Sequence, residues 1–158
     1  MTEVIVVYGG ELAKDVAEQI QAKSPASVTT KLQSASDRPK TLLDDGNSTS
    51  TLCFVMQTIE NAAPTEEGGT TVRFFKRKTH PTDLLAGKHF AVLGLGDSNL
   101  LLDRQTTTAK DCNQVAQELD ARLEALGGTR KHELGLADER TGLEEVEPWI
   151  DGFWKSMV

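Results

Sequence analysis

One apolar run that stops in two glycines and an acid constrains the fold of this chain more than any other stretch. The run is Phe90-Ala-Val-Leu93, and Gly94-Leu-Gly-Asp-Ser98 follows it directly. Continuous apolar residues with an abrupt polar stop are typical of a strand that is buried on both faces of a sheet. Ligands of open α/β sheets bind outside the carboxyl ends of the strands, so residues 94–99 form the first candidate site. An ordinary turn of a parallel sheet is the alternative, because Gly-x-Gly alone is a weak signal.

The rest of the chain alternates between strand and helix patterns. Strand character recurs at residues 3–8, 27–32, 51–56 and 129–136. Apolar residues at helical spacing cover residues 12–23, 70–78, 110–126 and 143–157, and Trp149, Phe153 and Trp154 are expected to anchor the last helix to the sheet. This alternation predicts an α/β fold, a doubly wound five-stranded parallel sheet with helices on both faces. A length of 158 residues predicts a single domain over residues 1–158.

Net charge and composition narrow the classes of partner. The net charge of −7 argues against nucleic acid or an anionic membrane surface and is compatible with a basic protein partner. No apolar stretch approaches the roughly 20 residues of a membrane span, and the first residues do not have the pattern of a signal peptide. Cys53 and Cys112 are too few for a disulfide framework, so a cytoplasmic location is expected. His80, His89 and His132 lack metal-ligand spacing, so no metal site is expected.

Several stretches outside the central run complete a family pattern. They are Tyr8-Gly9, Ala13-Lys-Asp-Val-Ala17, Cys53-Phe-Val55, Phe74-Phe-Lys-Arg-Lys78, Arg122-Leu-Glu-Ala-Leu-Gly-Gly128, Gly135-Leu-Ala-Asp-Glu139 and Glu147-Pro-Trp-Ile-Asp-Gly-Phe-Trp154. Together with residues 90–98, they make nearly the whole chain resemble the flavodoxin-like, FMN-binding domain of NADPH-dependent diflavin reductases. This family contains cytochrome P450 reductase, methionine synthase reductase and the diflavin reductase of cytosolic iron-sulfur protein assembly.

The resemblance implies that FMN binds along the carboxyl edge of the sheet. The FMN phosphate is expected at the start of the first helix, where free backbone N–H groups and the helix dipole favour an anion. The residues implied are Gly9, Gly10, Glu11, Leu12 and Ala13 for the phosphate, Thr58, Ile59, Leu95, Gly96, Asp97 and Leu100 for the flavin ring, and Asp138 and Leu143 in an acidic loop below it. No catalytic acid, base or nucleophile is implied, because the redox chemistry belongs to the cofactor.

The resemblance also implies an electron-transfer function. This flavoprotein domain is expected to be the N-terminal domain of a longer diflavin oxidoreductase. FMN would accept electrons from an FAD/NADPH-binding reductase domain of the parent chain and pass them to a protein acceptor on an acidic face. The candidate docking carboxylates are Glu66, Glu67, Asp138, Glu139, Glu144 and Glu145.

Three segments depart from the family pattern and leave a second function open. The first loop is shorter than the pattern, has no hydroxyl, and places the Glu11 carboxylate where a phosphate is expected. Ile59 and Leu100 stand where aromatic rings stack on the flavin in the family. The alternative is a degenerate flavodoxin-like domain that no longer binds FMN and acts as a protein-interaction or scaffold module.

Overall fold

One parallel sheet flanked by four helices makes up the described part of the chain in this computed structural model. The structure describes residues 2–36, 51–58, 69–96, 113–139 and 142–157. The elements are β1 (Thr2–Gly9), α1 (Glu11–Ala22), β2 (Val28–Ser34), β3 (Thr51–Gln57), α2 (Gly69–Phe75), β4 (His89–Gly96), α3 (Gln114–Ala125), β5 (Thr129–Arg130), β6 (Gly135–Asp138) and α4 (Val146–Ser156). No helix among these residues combines the length and the apolar character that crossing a bilayer requires.

The strand order confirms the predicted fold class. The strands run β2-β1-β3-β4-β5, with β6 also paired to β4, and every pairing is parallel. This is the flavodoxin-like order of doubly wound sheets. The prediction of one continuous strand over residues 129–136 is wrong, because β5 and β6 pair separately with β4. Between them His132 packs its ring 5.2 Å from that of Trp149 instead of continuing the ladder.

The core lies on both faces of the sheet. Alternate residues of β1, β3 and β4 point to opposite sides, as the two-residue period of a strand requires. One cluster joins Ile5, Leu52, Phe54 and Val92 to α2 and α3, and the other joins Val4, Val6, Cys53 and Leu93 to α1 and α4. Trp149, Phe153 and Trp154 are at most 6% exposed, which confirms that they anchor α4 to the sheet.

The glycines of the central run lie within the strand instead of forming a turn after it. Gly94 pairs with Met56 on one side and Leu136 on the other, and β4 continues to Gly96. A Cβ atom at Gly94 would lie 2.6 Å from the Cβ of Ala116. Glycine at this position therefore lets α3 pack closely on the sheet, and the expectation of a turn that begins at Gly94 is wrong.

Three predicted helices differ clearly from the observed ones at their ends. The helix expected over residues 110–126 begins, as α3, at Gln114. The helix expected over residues 70–78 ends at Phe75, where Arg122 Nε donates to the Phe75 carbonyl at 2.7 Å and Arg122 donates a second bond to the Arg77 carbonyl at 2.6 Å. These bonds satisfy carbonyls that a helix leaves free at its C-terminus. The last helix begins at Val146, after a turn in which Gly142 and Leu143 both have positive φ, 71° and 58°.

Candidate functional site

The carboxyl ends of β1, β3, β4 and β6 place the sequence-predicted residues along one edge of the sheet. The strand register sets Gly9 beside Met56, Gln57 beside Leu95, and Gly96 beside Asp138. Gly9 to Ala13, Thr58, Leu95, Gly96, Asp138 and Leu143 all belong to the ends of these strands or to the segments that follow them. The remaining candidates, Ile59, Asp97, Leu100, Glu66 and Glu67, lie outside the described residues.

Thr58 links three elements of this edge. It is 3% exposed, and its backbone N–H donates to the Leu95 carbonyl at 2.9 Å. Its hydroxyl Oγ1 accepts a 3.2 Å hydrogen bond from the backbone N–H of Val115, in the first turn of α3. The hydroxyl thus satisfies one of the donors that a helix leaves free at its N-terminus. Thr58 holds the end of β3 against β4 and α3.

Asn113 is a residue of this edge that the sequence analysis missed. It precedes α3 and is fully buried, and its Nδ2 donates a 2.9 Å hydrogen bond to the Ala137 carbonyl in β6. A Cβ atom at Gly94 would lie 2.7 Å from its Oδ1. The start of α3 is therefore tied to both β4 and β6. The available signal was the residue type, because Asn is common at helix starts. The helix expected over residues 110–126 places Asn113 within the helix, whereas α3 begins after it, at Gln114.

The acidic segment after β6 folds back on the strand. Leu143 donates its backbone N–H to the Asp138 carbonyl at 3.1 Å, through the positive-φ turn at Gly142 and Leu143. Asp138 is only 4% exposed, so the expectation that it belongs to an exposed docking face is wrong. Glu139 and Glu144 are exposed and Glu145 is half-buried.

The first loop carries an unexpected neighbour. Gly10 has φ 116° and stands at the N-terminus of α1, and a Cβ atom there would lie 2.2 Å from Oε1 of Gln57. That oxygen is buried and accepts no hydrogen bond from the described part of the chain. Glu11 is exposed in the first turn of α1. The loop thus offers a phosphate no hydroxyl, a carboxylate nearby and an amide oxygen already in place, and these residues do not fit a phosphate group.

A cleft of about 600 Å³ opens beside this loop, toward β2. Its lining residues are Tyr8, Gly10, Glu11, Lys14, Asp15, Ser34 and Ser36. The hydroxyls of Ser34 and Ser36 are 2.8 Å apart and bond to each other. Two carboxylates and one ammonium line the cleft, so its charge does not select an anion.

Buried titratable groups in the described residues have no arrangement for covalent or metal chemistry. Burial raises the pKa of the Cys53 thiol far above its usual range, so this thiol is expected to be inert. Among the described residues, no group of three or more His, Cys, Asp or Glu side chains is placed so that it could hold a metal ion.

Comparisons with known proteins agree on one family. The Flavodoxin family profile matches residues 10–149. Methionine synthase reductase of Bos taurus is 35% identical over 147 residues, which cover 92% of this chain and 20% of that protein. NADPH-dependent diflavin oxidoreductase 1 of Danio rerio is 31% identical over 166 residues, which cover 98% of this chain and 25% of that protein. The chain thus spans about a quarter or less of the length of these relatives.

Solved structures show the same fold. A mutant flavodoxin from Pseudomonas aeruginosa has a TM-score of 0.69 at 16% identity, with 98% of this chain and 97% of that chain covered. A short-chain flavodoxin associated with a bacterial microcompartment has a TM-score of 0.65 at 20% identity, with both chains fully covered.

Proposed function

This chain belongs to the flavodoxin family, and from that premise we propose that it is the flavin-carrying electron-transfer domain of an NADPH-dependent diflavin reductase. The observation that carries the proposal is the match of 92% of the chain to methionine synthase reductase at 35% identity. The strand ends that would receive a flavin, at Thr58, Leu95 and Asp138, lie side by side at one edge. A bound flavin supplies one-electron transfer, and the protein supplies position and electrostatics.

The proposal includes partners and a place in a longer protein. We expect this chain to be the first domain of a cytoplasmic reductase whose further domains bind FAD and NADPH. The exposed carboxylates of Glu139 and Glu144 would face a basic protein acceptor, because charge complementarity guides such encounters. Their place beside the end of β6 puts them next to the candidate flavin edge.

A scaffold role without flavin is the second candidate, and the first loop is the observation that favours it. The carboxamide of Gln57 lies against Gly10, and no hydroxyl is present between Gly9 and Ala13. A domain that had lost its ligand would retain the buried core clusters, and its first loop would no longer need hydroxyls or free space for a phosphate. Both candidates share the fold, so only a ligand measurement separates them.

The test is a visible spectrum of the purified chain, followed by titration with FMN and with riboflavin. The electron-transfer proposal expects flavin absorbance in the purified protein or saturable uptake of added flavin. Far-UV circular dichroism on the same sample checks that the sheet and helices are intact. A folded protein that takes up neither flavin at high added concentration would overturn the proposal and leave the scaffold role.

A further inference from the structure

The contact between Gly10 and Gln57 bears on which end of a flavin this site recognises. Resting on the proposed function, we infer that recognition is independent of the flavin phosphate, with Gln57 as the specificity-determining residue. The ligand class is then the neutral isoalloxazine and its polyol chain, and riboflavin should bind as well as FMN.

The Gln57 side chain lies along Gly10 for most of its length. A Cβ atom at Gly10 would lie 2.2 Å from Gln57 Oε1, 2.9 Å from its Cβ and 3.0 Å from its Cδ. The strand register explains the contact, because Gly9 at the end of β1 pairs with Met56 in β3. Gly10, which follows β1, therefore lies beside Gln57, the last residue of β3. Glycine at position 10, with φ 116°, admits the glutamine where any other residue would collide.

The carboxamide oxygen stands beside the helix terminus that would otherwise receive an anion. The first bond within α1 runs from the Lys14 N–H to the Gly10 carbonyl at 3.0 Å, so the N–H groups of residues 11–13 precede the helical ladder. This end of a helix favours a negative group. Gln57 Oε1 is buried against Gly10, the residue before α1, and accepts no hydrogen bond from the described part of the chain.

A phosphate at this place would have to displace the carboxamide and approach Glu11. No hydroxyl between Gly9 and Ala13 compensates for that displacement. Each missing charge-assisted hydrogen bond lowers affinity by about 10- to 100-fold. The neighbouring cleft does not replace the loop, because the ammonium of Lys14 is balanced by the carboxylates of Glu11 and Asp15.

The experiment compares riboflavin and FMN binding to the unaltered chain in one buffer, by flavin fluorescence or calorimetry. We expect the two dissociation constants to agree within about threefold, with no competition from excess inorganic phosphate. The double variant Glu11→Thr with Gln57→Ser supplies two hydroxyls and removes the carboxylate. We expect it to bind FMN at least about tenfold more tightly than riboflavin. Glu18→Thr, an exposed acid farther along α1, is the matched control and should leave the ratio unchanged.

The outcomes separate this inference from the proposed function. FMN binding that is much tighter than riboflavin binding in the unaltered chain would overturn the inference and leave the proposed function standing. If Lys14→Ala then removed that preference, the phosphate would lie in the cleft that Lys14 lines, which would explain why the inference is wrong. Binding of neither flavin by the folded protein would overturn both.

Discussion

The indole N–H of Trp154 donates a 3.0 Å hydrogen bond to the backbone carbonyl of Ile20, which joins α4 to the last turn of α1. In a continued helix this carbonyl would accept a hydrogen bond from the Ser24 N–H. That N–H donates instead to the Gln21 backbone carbonyl at 3.1 Å. Ile20 is fully buried and Trp154 is 6% exposed, so water does not replace the indole. The two helices on this face of the sheet are therefore held together by a polar contact as well as by packing.

We predict that Trp154→Phe lowers the free energy of unfolding by about 1–3 kcal/mol, because it leaves a buried carbonyl without its donor. Urea denaturation followed by circular dichroism measures the change. Trp149→Phe is the control, since the Trp149 indole N–H donates to the Glu133 carbonyl at 2.9 Å, and this hydrogen bond is only partly buried. A smaller loss is expected there. An equal or larger loss in Trp149→Phe would contradict the role given to burial of the Ile20 carbonyl.

Thr58→Val is expected to destabilise the fold by about 1–3 kcal/mol, because the buried N–H of Val115 loses its acceptor while the side-chain volume is nearly unchanged. Thr58→Ser keeps the hydroxyl and should cost less than Thr58→Val. The thermal midpoints of the two variants provide the measurement. If serine were the more damaging substitution, the methyl group and not the hydrogen bond would be what stabilises this position.

Gly94→Ala should lower stability by about 1–3 kcal/mol, since its methyl group would lie 2.6 Å from the Cβ of Ala116. Adding Ala116→Gly removes one of two close contacts, since the new methyl group would also lie 2.7 Å from Asn113 Oδ1. The second substitution should therefore recover part of the loss, despite the weaker helix propensity of glycine. Chemical denaturation of the single and double variants forms a double-mutant cycle. Strictly additive losses would show that the two positions do not contact each other as described.

Stability is expected to fall as the pH decreases through the titration of His132. Burial lowers the pKa of this imidazole below its usual 6.5, and the neighbouring Glu133 carboxylate only partly opposes that effect. A folded-state pKa below the unfolded one means that the unfolded chain binds the proton first. The stability that the neutral His132 imidazole contributes is fully present above pH 6.5, and it is lost as the pH falls through the folded-state pKa.

Unfolding midpoints measured at several pH values on either side of 6.5 test this prediction, with His132→Phe as the comparison. Phenylalanine retains the ring contact with Trp149 and does not titrate. The difference in stability between the two proteins should therefore change over this pH window. A difference that is constant with pH would rule out His132 as the titrating group.

Much of the architecture follows from local patterns in the chain. The apolar runs at residues 51–56 and 90–93 are continuous because β3 and β4 are covered on both faces, and burial on both faces favours apolar residues at every position. The helical spacing of Val115, Leu119 and Leu123 reports the face of α3 that packs on the sheet. The two strands after residue 128 cannot be predicted separately in this way, because two short strands separated by polar residues have no periodicity of their own.

The sequence by itself determined the fold class and the family, because burial and strand alternation leave a regular record along the chain. It also predicted the edge of the sheet where a ligand would bind. Only the tertiary structure decided how that edge is built. The edge depends on three contacts between different strands and helices: Gln57 against Gly10, Thr58 beneath α3, and Asn113 between β4 and β6. Such contacts depend on register and close approach in space, which no local pattern in the chain encodes.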